Sequence, residues 1–202
     1  MKCKEFDGGL QSNHEISIGI DQSLSGFALS AVSIELPTQH ITWVYKSPFT
    51  GVQRLDDIQT FMYEKLEWLR ARGNSVKDIA MEGTVLASHS ALVLGELSAT
   101  VKLFLFDHFL DDNHHLGKAE PHLKTPLQIP PMTLKKYATG KGTSKKQEML
   151  LQIYKRWGVE FNDDNAADAY SLGRLATGSH IDAVEKAVVE QIKDIKYRDF
   201  IA

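Results

Sequence analysis

Two apolar segments of this chain stop on a carboxylate, and a third carboxylate stands in a run of alanines. Asp21 closes Ile16–Ile20, Glu82 closes Ile79-Ala80-Met81, and Asp168 lies within Asn165-Ala166-Ala167-Asp168-Ala169. An ionised carboxylate among apolar neighbours is costly unless it is paired or binds a metal. A fold for this chain must therefore bring these three points to water or to one another. Singly, each acid has an ordinary use: Asp21 as a turn former ahead of Ser23 and Gly26, Glu82 as a solvated strand end, Asp168 as an acid in a first helical turn. Repetition at two strand ends and one helix start favours a shared role.

The pattern around the acids sets the fold class. Glu15 to Ile20, Gly26 to Ile34 and Ile41 to Tyr45 read as three strands joined by short turns, an antiparallel meander. Leu55, Ile58, Met62, Leu66 and Leu69 then recur at helical spacing ahead of Gly73, which predicts a crossover helix. Val76 to Met81 reads as a buried strand and Ala87 to Leu110 as a long helix with Leu97, Val101 and Leu105 four apart, so the sheet gains a parallel unit. The polar stretch 111–125 predicts a loop before a short strand near Leu127–Ile129, and its His114, His115 and His122 read as solvated side chains in preference to transition-metal ligands or catalytic groups, with His89 near Glu82 a minor candidate for contact with bound metal or DNA. Ser144-Lys145-Lys146-Gln147 has capping-box form ahead of Leu150, Tyr154 and Trp157, with Gly158 ending that helix. Asn162 to Asn165 offers N-caps for a helix over Ala166–Ala176, and Val184, Val188 and Ile192 mark a last helical stretch over Ile181–Ile195. Trp43, Trp68 and Trp157 fall on apolar faces and read as core. The order of elements predicts an α/β fold, a mixed sheet flanked by helices.

Composition narrows the function classes. At 202 residues, with 43% hydrophobic and 24% charged residues, the chain fits one soluble domain. No apolar stretch approaches the ~18 residues of a membrane span, and no leader peptide is expected. Cys3 is the single cysteine, which excludes an internal disulfide or a cysteine-based zinc site and suits a reducing, cytoplasmic setting. A net charge of −3 does not announce a nucleic-acid binder, yet Lys135, Lys136, Lys141, Lys145 and Lys146 fall within twelve residues and can form a local basic surface.

Asp21, Glu82 and Asp168 together suit hard divalent cations, because Mg²⁺ prefers oxygen ligands and two ions ~3.5–4 Å apart can hold both the attacking and leaving oxygens of a phosphodiester. A fourth donor comes from Asp164 or Asn165, which precede Asp168 by four and three residues and share its helix face. Asp164 brings a charge, whereas Asn165 brings only a carbonyl oxygen.

The ordered set of motifs resembles the RuvC family of junction resolvases, particularly its phage-type members, over about Ile16 to Ala176. Ile18-Gly19-Ile20-Asp21-Gln22-Ser23-Leu24-Ser25-Gly26 is similar to the family's first strand, catalytic aspartate and turn. Met81-Glu82-Gly83 followed by Leu94-Gly95-Glu96-Leu97 resembles its second acidic strand and long helix, Pro130 to Gly142 its DNA-facing segment, and Asp164 to Ala169 its last acidic helix. The resemblance implies a ribonuclease H-like fold, a five-stranded mixed sheet flanked by helices, with the core at 15–177 and 178–202 as a helical extension of a single nuclease domain. It implies two Mg²⁺ or Mn²⁺ ions per site on Asp21, Glu82, Asp168 and either Asp164 or Asn165. The family spacing, an acid or histidine three residues before the aspartate, selects Asn165. It also implies paired nicking of a Holliday junction by a homodimer in a bacterial or phage-infected cell, because a junction offers two equivalent scissile bonds to a two-fold enzyme.

Lys135, Lys136, Lys141, Lys145 and Lys146 fit phosphate contacts that read no bases, and Tyr137 stacks on an unpaired base or, alternatively, packs inward. Family members carry an aromatic wedge shortly after the second acid, where this chain has Thr84-Val85-Leu86. The alternatives are a nuclease of the same fold acting on flaps, other branched DNA or RNA–DNA hybrids, and a non-catalytic junction-binding protein. A kinase-like ATPase is disfavoured, because no phosphate loop follows Gly83 and the chain is too short for two lobes.

Overall fold

The computed structural model describes residues 2–83, 91–110 and 125–198. Thr84-Val85-Leu86, His89 and the histidine-bearing stretch with His114, His115 and His122 lie outside the described residues.

Among the described residues six strands form one sheet: β1 (Lys2–Asp7), β2 (Glu15–Asp21), β3 (Phe27–Ser33), β4 (His40–Lys46), β5 (Ser75–Glu82) and β6 (Leu127–Ile129). Their order is β1-β4-β3-β2-β5-β6, antiparallel from β1 through β2 and parallel from β2 to β6. The expected meander and parallel unit are both present, in a mixed α/β sheet. The sheet has six strands rather than five because β1 adds at the edge. Lys2-Cys3-Lys4-Glu5-Phe6-Asp7 shows no apolar alternation, and charged side chains of this kind suit an edge strand that must resist further pairing. Trp43 Nε1 donates to Glu5 Oε2 at 2.7 Å, and Phe6 packs edge-on against Phe161.

Both faces of β2, β3 and β4 are covered, so alternate residues enter two separate cores. Ile16, Ile18, Ile20, Phe27, Leu29 and Trp43 face α1 (Gly51–Ala71) and α2 (Ala91–Leu105). Ala28, Val32, Val44 and Ala80 face α3 (Pro131–Thr139), α4 (Lys146–Trp157), α5 (Asp164–Ala176) and α6 (Ala183–Gln191). Side chains such as Ile16, Ile18 and Ile20, fully withdrawn from water, contribute roughly 1.5–3 kcal/mol each.

Several boundaries differ from the sequence pattern. α2 ends at Leu105 and passes into a π-helical turn, Phe106–Leu110. α3 was hidden in the basic segment, although Pro131 at its first turn and Gly140 at φ 83° are ordinary start and stop signals. The capping box does not form: Lys145 takes the N-cap position of α4 without a side-chain bond, while Ser144 Oγ bonds Thr139 Oγ1 at 2.8 Å. The buried stripe of α4 is Met149, Ile153 and Trp157, and Tyr154 faces water. Trp68 is 39% exposed, edge-on to Trp43 and beneath the Arg72 guanidinium, so it lies at the rim of the core.

The last helical stretch divides into α6 and a 3-10 turn, Ile195–Tyr197. Its Val188, Ile192 and Tyr197 enter the second core, and buried Glu185 accepts from Arg156 Nη2 at 2.6 Å, Trp157 Nε1 at 2.9 Å and the Ile181 N–H at 2.8 Å. Among the described residues no helix is long and apolar enough to cross a membrane.

Candidate active site

Strand alternation explains why the acids meet. With Ile16, Ile18 and Ile20 of β2 committed to the α1–α2 face, Gly19 and Asp21 point the other way. On β5, Ile79 and Met81 take the first face, leaving Ala80 and Glu82 on the second. The parallel ladder pairs Ile20 with Met81, so Asp21 and Glu82 follow side by side where the two strands end.

The third acid arrives on α5. A Cβ at Gly19 would lie 2.0 Å from the Ala169 carbonyl oxygen and 2.3 Å from the Gly173 nitrogen, so only glycine admits the helix backbone this close to β2. Asp168, one residue before Ala169, is thereby carried to the strand ends. Asp21, Glu82, Asp164, Asn165 and Asp168 all line one cavity of about 430 Å³, together with Lys135 and Lys146.

The electrostatics follow from packing three acids under little water. Burial, and then the charges of Glu82 and Asp168, push the Asp21 carboxyl well above the usual carboxylate range. Burial also raises Glu82, opposed by its hydrogen bond with Asp21 and by the charges of Lys135 and Lys146. Burial and the neighbouring Glu82 push Asp168 up to about 7. Asp164 behaves oppositely: Lys146 Nζ donates to its Oδ2 and holds its carboxyl below the usual range.

Among the described residues, no group of three or more His, Cys, Asp or Glu side chains forms a ready-made metal cage. In this conformation the Asp21–Glu82 hydrogen bond and the Asp164–Lys146 ion pair occupy the oxygens that a cation would need.

Gln22, which the sequence reading passed over, completes the strand ends. Its Nε2 donates to the Glu82 carbonyl at 2.9 Å, while its buried Oε1 has no hydrogen-bond partner among the described residues. Its place directly after Asp21 was the available signal. Asn165 sits against the β2–β3 turn, where a Cβ on Gly26 would lie 2.6 Å from its Nδ2.

The basic segment divides. Lys135 and Lys146 line the cavity, whereas Lys136, Lys141 and Lys145 are exposed and lie outside its lining. Tyr137 is 0% exposed, packed on Trp157, with its hydroxyl donating to the Ser179 carbonyl. It does not belong with the DNA-facing residues, because a ring enclosed on all sides cannot stack on a base. Its position on α3 puts it beside Leu134 and Ala138 on the inward face.

No protein-family model matches the chain, and no curated protein matches it. Among solved structures, the Thermus thermophilus RuvC in complex with a Holliday junction substrate superposes with a TM-score of 0.57 at 19% identity, over 80% of this chain and 92% of that one. The chain has the RuvC fold. A second Thermus thermophilus RuvC structure agrees, with a TM-score of 0.52 at 18% identity over 79% of this chain and 90% of that one. Within the RuvC fold of this chain, the cavity lies where parallel strands β2 and β5 end beneath α5, so its acids come from three elements distant in sequence.

Proposed function

We propose that this chain is a divalent-ion-dependent nuclease that resolves four-way DNA junctions by paired nicks in symmetry-related strands. The observation that carries the reading is the convergence of Asp21, Glu82 and Asp168 in one cavity with two lysines, on a RuvC fold. The solved Thermus thermophilus relative that holds a Holliday junction substrate supports the choice of substrate.

The donor set fits a hard divalent cation such as Mg²⁺ or Mn²⁺, since the carboxylates and Gln22 Oε1, which has no hydrogen-bond partner among the described residues, are all oxygen donors. Asp21, Glu82 and Asp168 would hold the ion, with Asp164 or Asn165 as the further donor. The bound ion would supply the Lewis acidity that phosphodiester hydrolysis needs.

The chain's own residues do the remaining work. The hydrogen bond between Asp21 and Glu82 must open before both can act as charged ligands. Gln22 fixes the Glu82 backbone against β2. Lys135 and Lys146 offer two ammonium groups to a phosphate at the cavity mouth, and exposed Lys136, Lys141 and Lys145 extend that attraction along the strand without reading bases.

Two copies are required to nick both strands symmetrically, and α2 supports such pairing. It buries Leu97, Val101, Phe104 and Leu105 inward, yet its outward face carries exposed Leu92, Ala99 and Leu103, continued by Phe106. These fall seven, four and three residues apart, the spacing of a helix-to-helix seam.

The test is a synthetic immobile four-way junction incubated with Mg²⁺ and either the wild type or Asp21→Asn. Paired symmetric nicks, lost in the variant with junction binding retained, are expected. Preferred cutting of flaps or RNA–DNA hybrids would replace the junction reading with that of a different nuclease, and binding without cutting in the wild type would remove the enzyme.

A further inference from the structure

We infer that Lys146 serves as a built-in cation of the acidic site, so that each chain takes up one divalent ion rather than two. The inference rests on the divalent-ion reading above and concerns how this chain's residues divide the positive charge.

Charge balance is the first argument. The cavity lining carries four carboxylates, Asp21, Glu82, Asp164 and Asp168, against two ammonium groups, Lys135 and Lys146. With every acid ionised, the state in which they would hold a divalent ion, the formal balance is −2, which one such ion neutralises. Four carboxylates with no opposing lysine would call for two. A second ion in this lining would leave a net positive cavity before any phosphate entered.

Geometry places the substitution on one side of the site. At the position three residues before Asp168, where the family resemblance implies an acid or a histidine, this chain has uncharged Asn165, whose amide group sits against Gly26. The carboxylate one residue earlier, Asp164, is already engaged by the Lys146 ammonium group. Thus at the α5 end of the cavity Asn165 brings no charge and the charge of Asp164 is offset by Lys146. At the strand end, Asp21 and Glu82 are hydrogen-bonded to each other, and among the described residues neither forms an ion pair with a lysine or arginine.

Lys146 can fill this role because of where α4 begins. It is the first residue of α4, and its side chain crosses to the first residue of α5, so the ammonium group is delivered from a rigid helix start. A lysine is a compact point charge with three donors and no acceptor. It can offset a carboxylate and attract a phosphate oxygen but cannot polarise a water as a divalent ion does. One ion between Asp21, Glu82 and Asp168 would supply the Lewis acidity, with Lys146 completing the charge on the Asp164 side.

The experiment counts ions on the whole protein without DNA. Mn²⁺ uptake is measured by calorimetry and by the loss of the free-ion electron paramagnetic resonance signal for the wild type, Lys146→Arg, Asp21→Asn and a Lys146→Met/Asn165→Asp double variant. Expected are one Mn²⁺ per chain in the wild type and in Lys146→Arg, which keeps the charge, and two in the double variant. Lys146 is largely solvent-exposed, so its replacement should leave the fold intact; melting curves check this. Two ions in the wild type, or one in a folded double variant, would overturn the inference. Absence of uptake in both the wild type and Asp21→Asn would instead overturn the divalent-ion reading beneath it.

Discussion

Replacing Asp168 by asparagine should stabilise the ion-free protein while abolishing cleavage. The Asp168 carboxyl stands at about 7 against an ordinary 3.8, raised first by burial and then by Glu82. Between those two values the unfolded chain has released a proton that the folded chain still holds. Protons therefore favour the folded state, and stability falls as pH rises through this window, levelling off above about 7. The displacement corresponds to about 4 kcal/mol at pH 8, an upper figure because the neighbouring acids titrate with it. Asparagine has nearly the same shape and no charge to desolvate. The variant should gain up to ~4 kcal/mol at pH 8, or roughly 8–16 °C in melting temperature for a chain of this size, and nothing below pH 4. Scanning calorimetry in EDTA at pH 4, 6, 7 and 8 measures both curves. Adding Mg²⁺ should then raise the wild type more than the variant. A variant melting at or below the wild type at pH 8 would refute the reasoning.

Three further outcomes follow from packing. Gly19→Ala puts a methyl group against the α5 backbone, which cannot swing aside as a side-chain tip can; urea denaturation should show a loss of about 1–3 kcal/mol or more, with cleavage reduced because Asp168 rides on α5. Tyr137→Phe removes one hydrogen bond to the Ser179 carbonyl and should cost about 1 kcal/mol in urea denaturation; an unchanged stability would show that this bond adds nothing. Glu185→Ala strips buried Trp157 of its acceptor and takes the opposing charge from buried Arg174 and half-buried Arg156, which keeps Asp182; it should cost roughly 3–5 kcal/mol in urea denaturation, and a loss under ~1 kcal/mol would show that α6 is only loosely held.

What could be read from the sequence was whatever depends on period and order. Ile16, Ile18 and Ile20 alternate, and Leu97, Val101 and Leu105 repeat every four residues, so β2 and α2 were legible, as was the sequence of strands and helices. Elements held by context were not. β1 is charged at four of its six positions and exists because β4 offers it an open edge with Trp43 reaching for Glu5. Tyr137 was ambiguous because an aromatic between lysines can face either way; Leu134 and Ala138 decide it by sharing its helix face. The convergence of Asp21, Glu82 and Asp168 was inferable from their apolar surroundings. That Lys135 and Lys146 would join them was not, since it depends on where two loops let α3 and α4 start.

Asp164 and Asp168 bring the local physics together. They lie one turn apart on one helix and line the same cavity, yet their carboxyls are shifted in opposite directions. Asp164 accepts from Lys146 and sits in the first turn of α5, where the helix dipole favours an anion. Asp168 lies beyond that turn, deeper in, and its nearest strong influence is another acid, Glu82. One carboxylate therefore has its cation supplied by the chain, and the other is held in a state that only an added cation can relieve. A site that binds its ion through the second kind of group gains affinity from relieved repulsion, at the cost of stability in the ion-free protein. The first kind has no such gain to offer until Lys146 lets go.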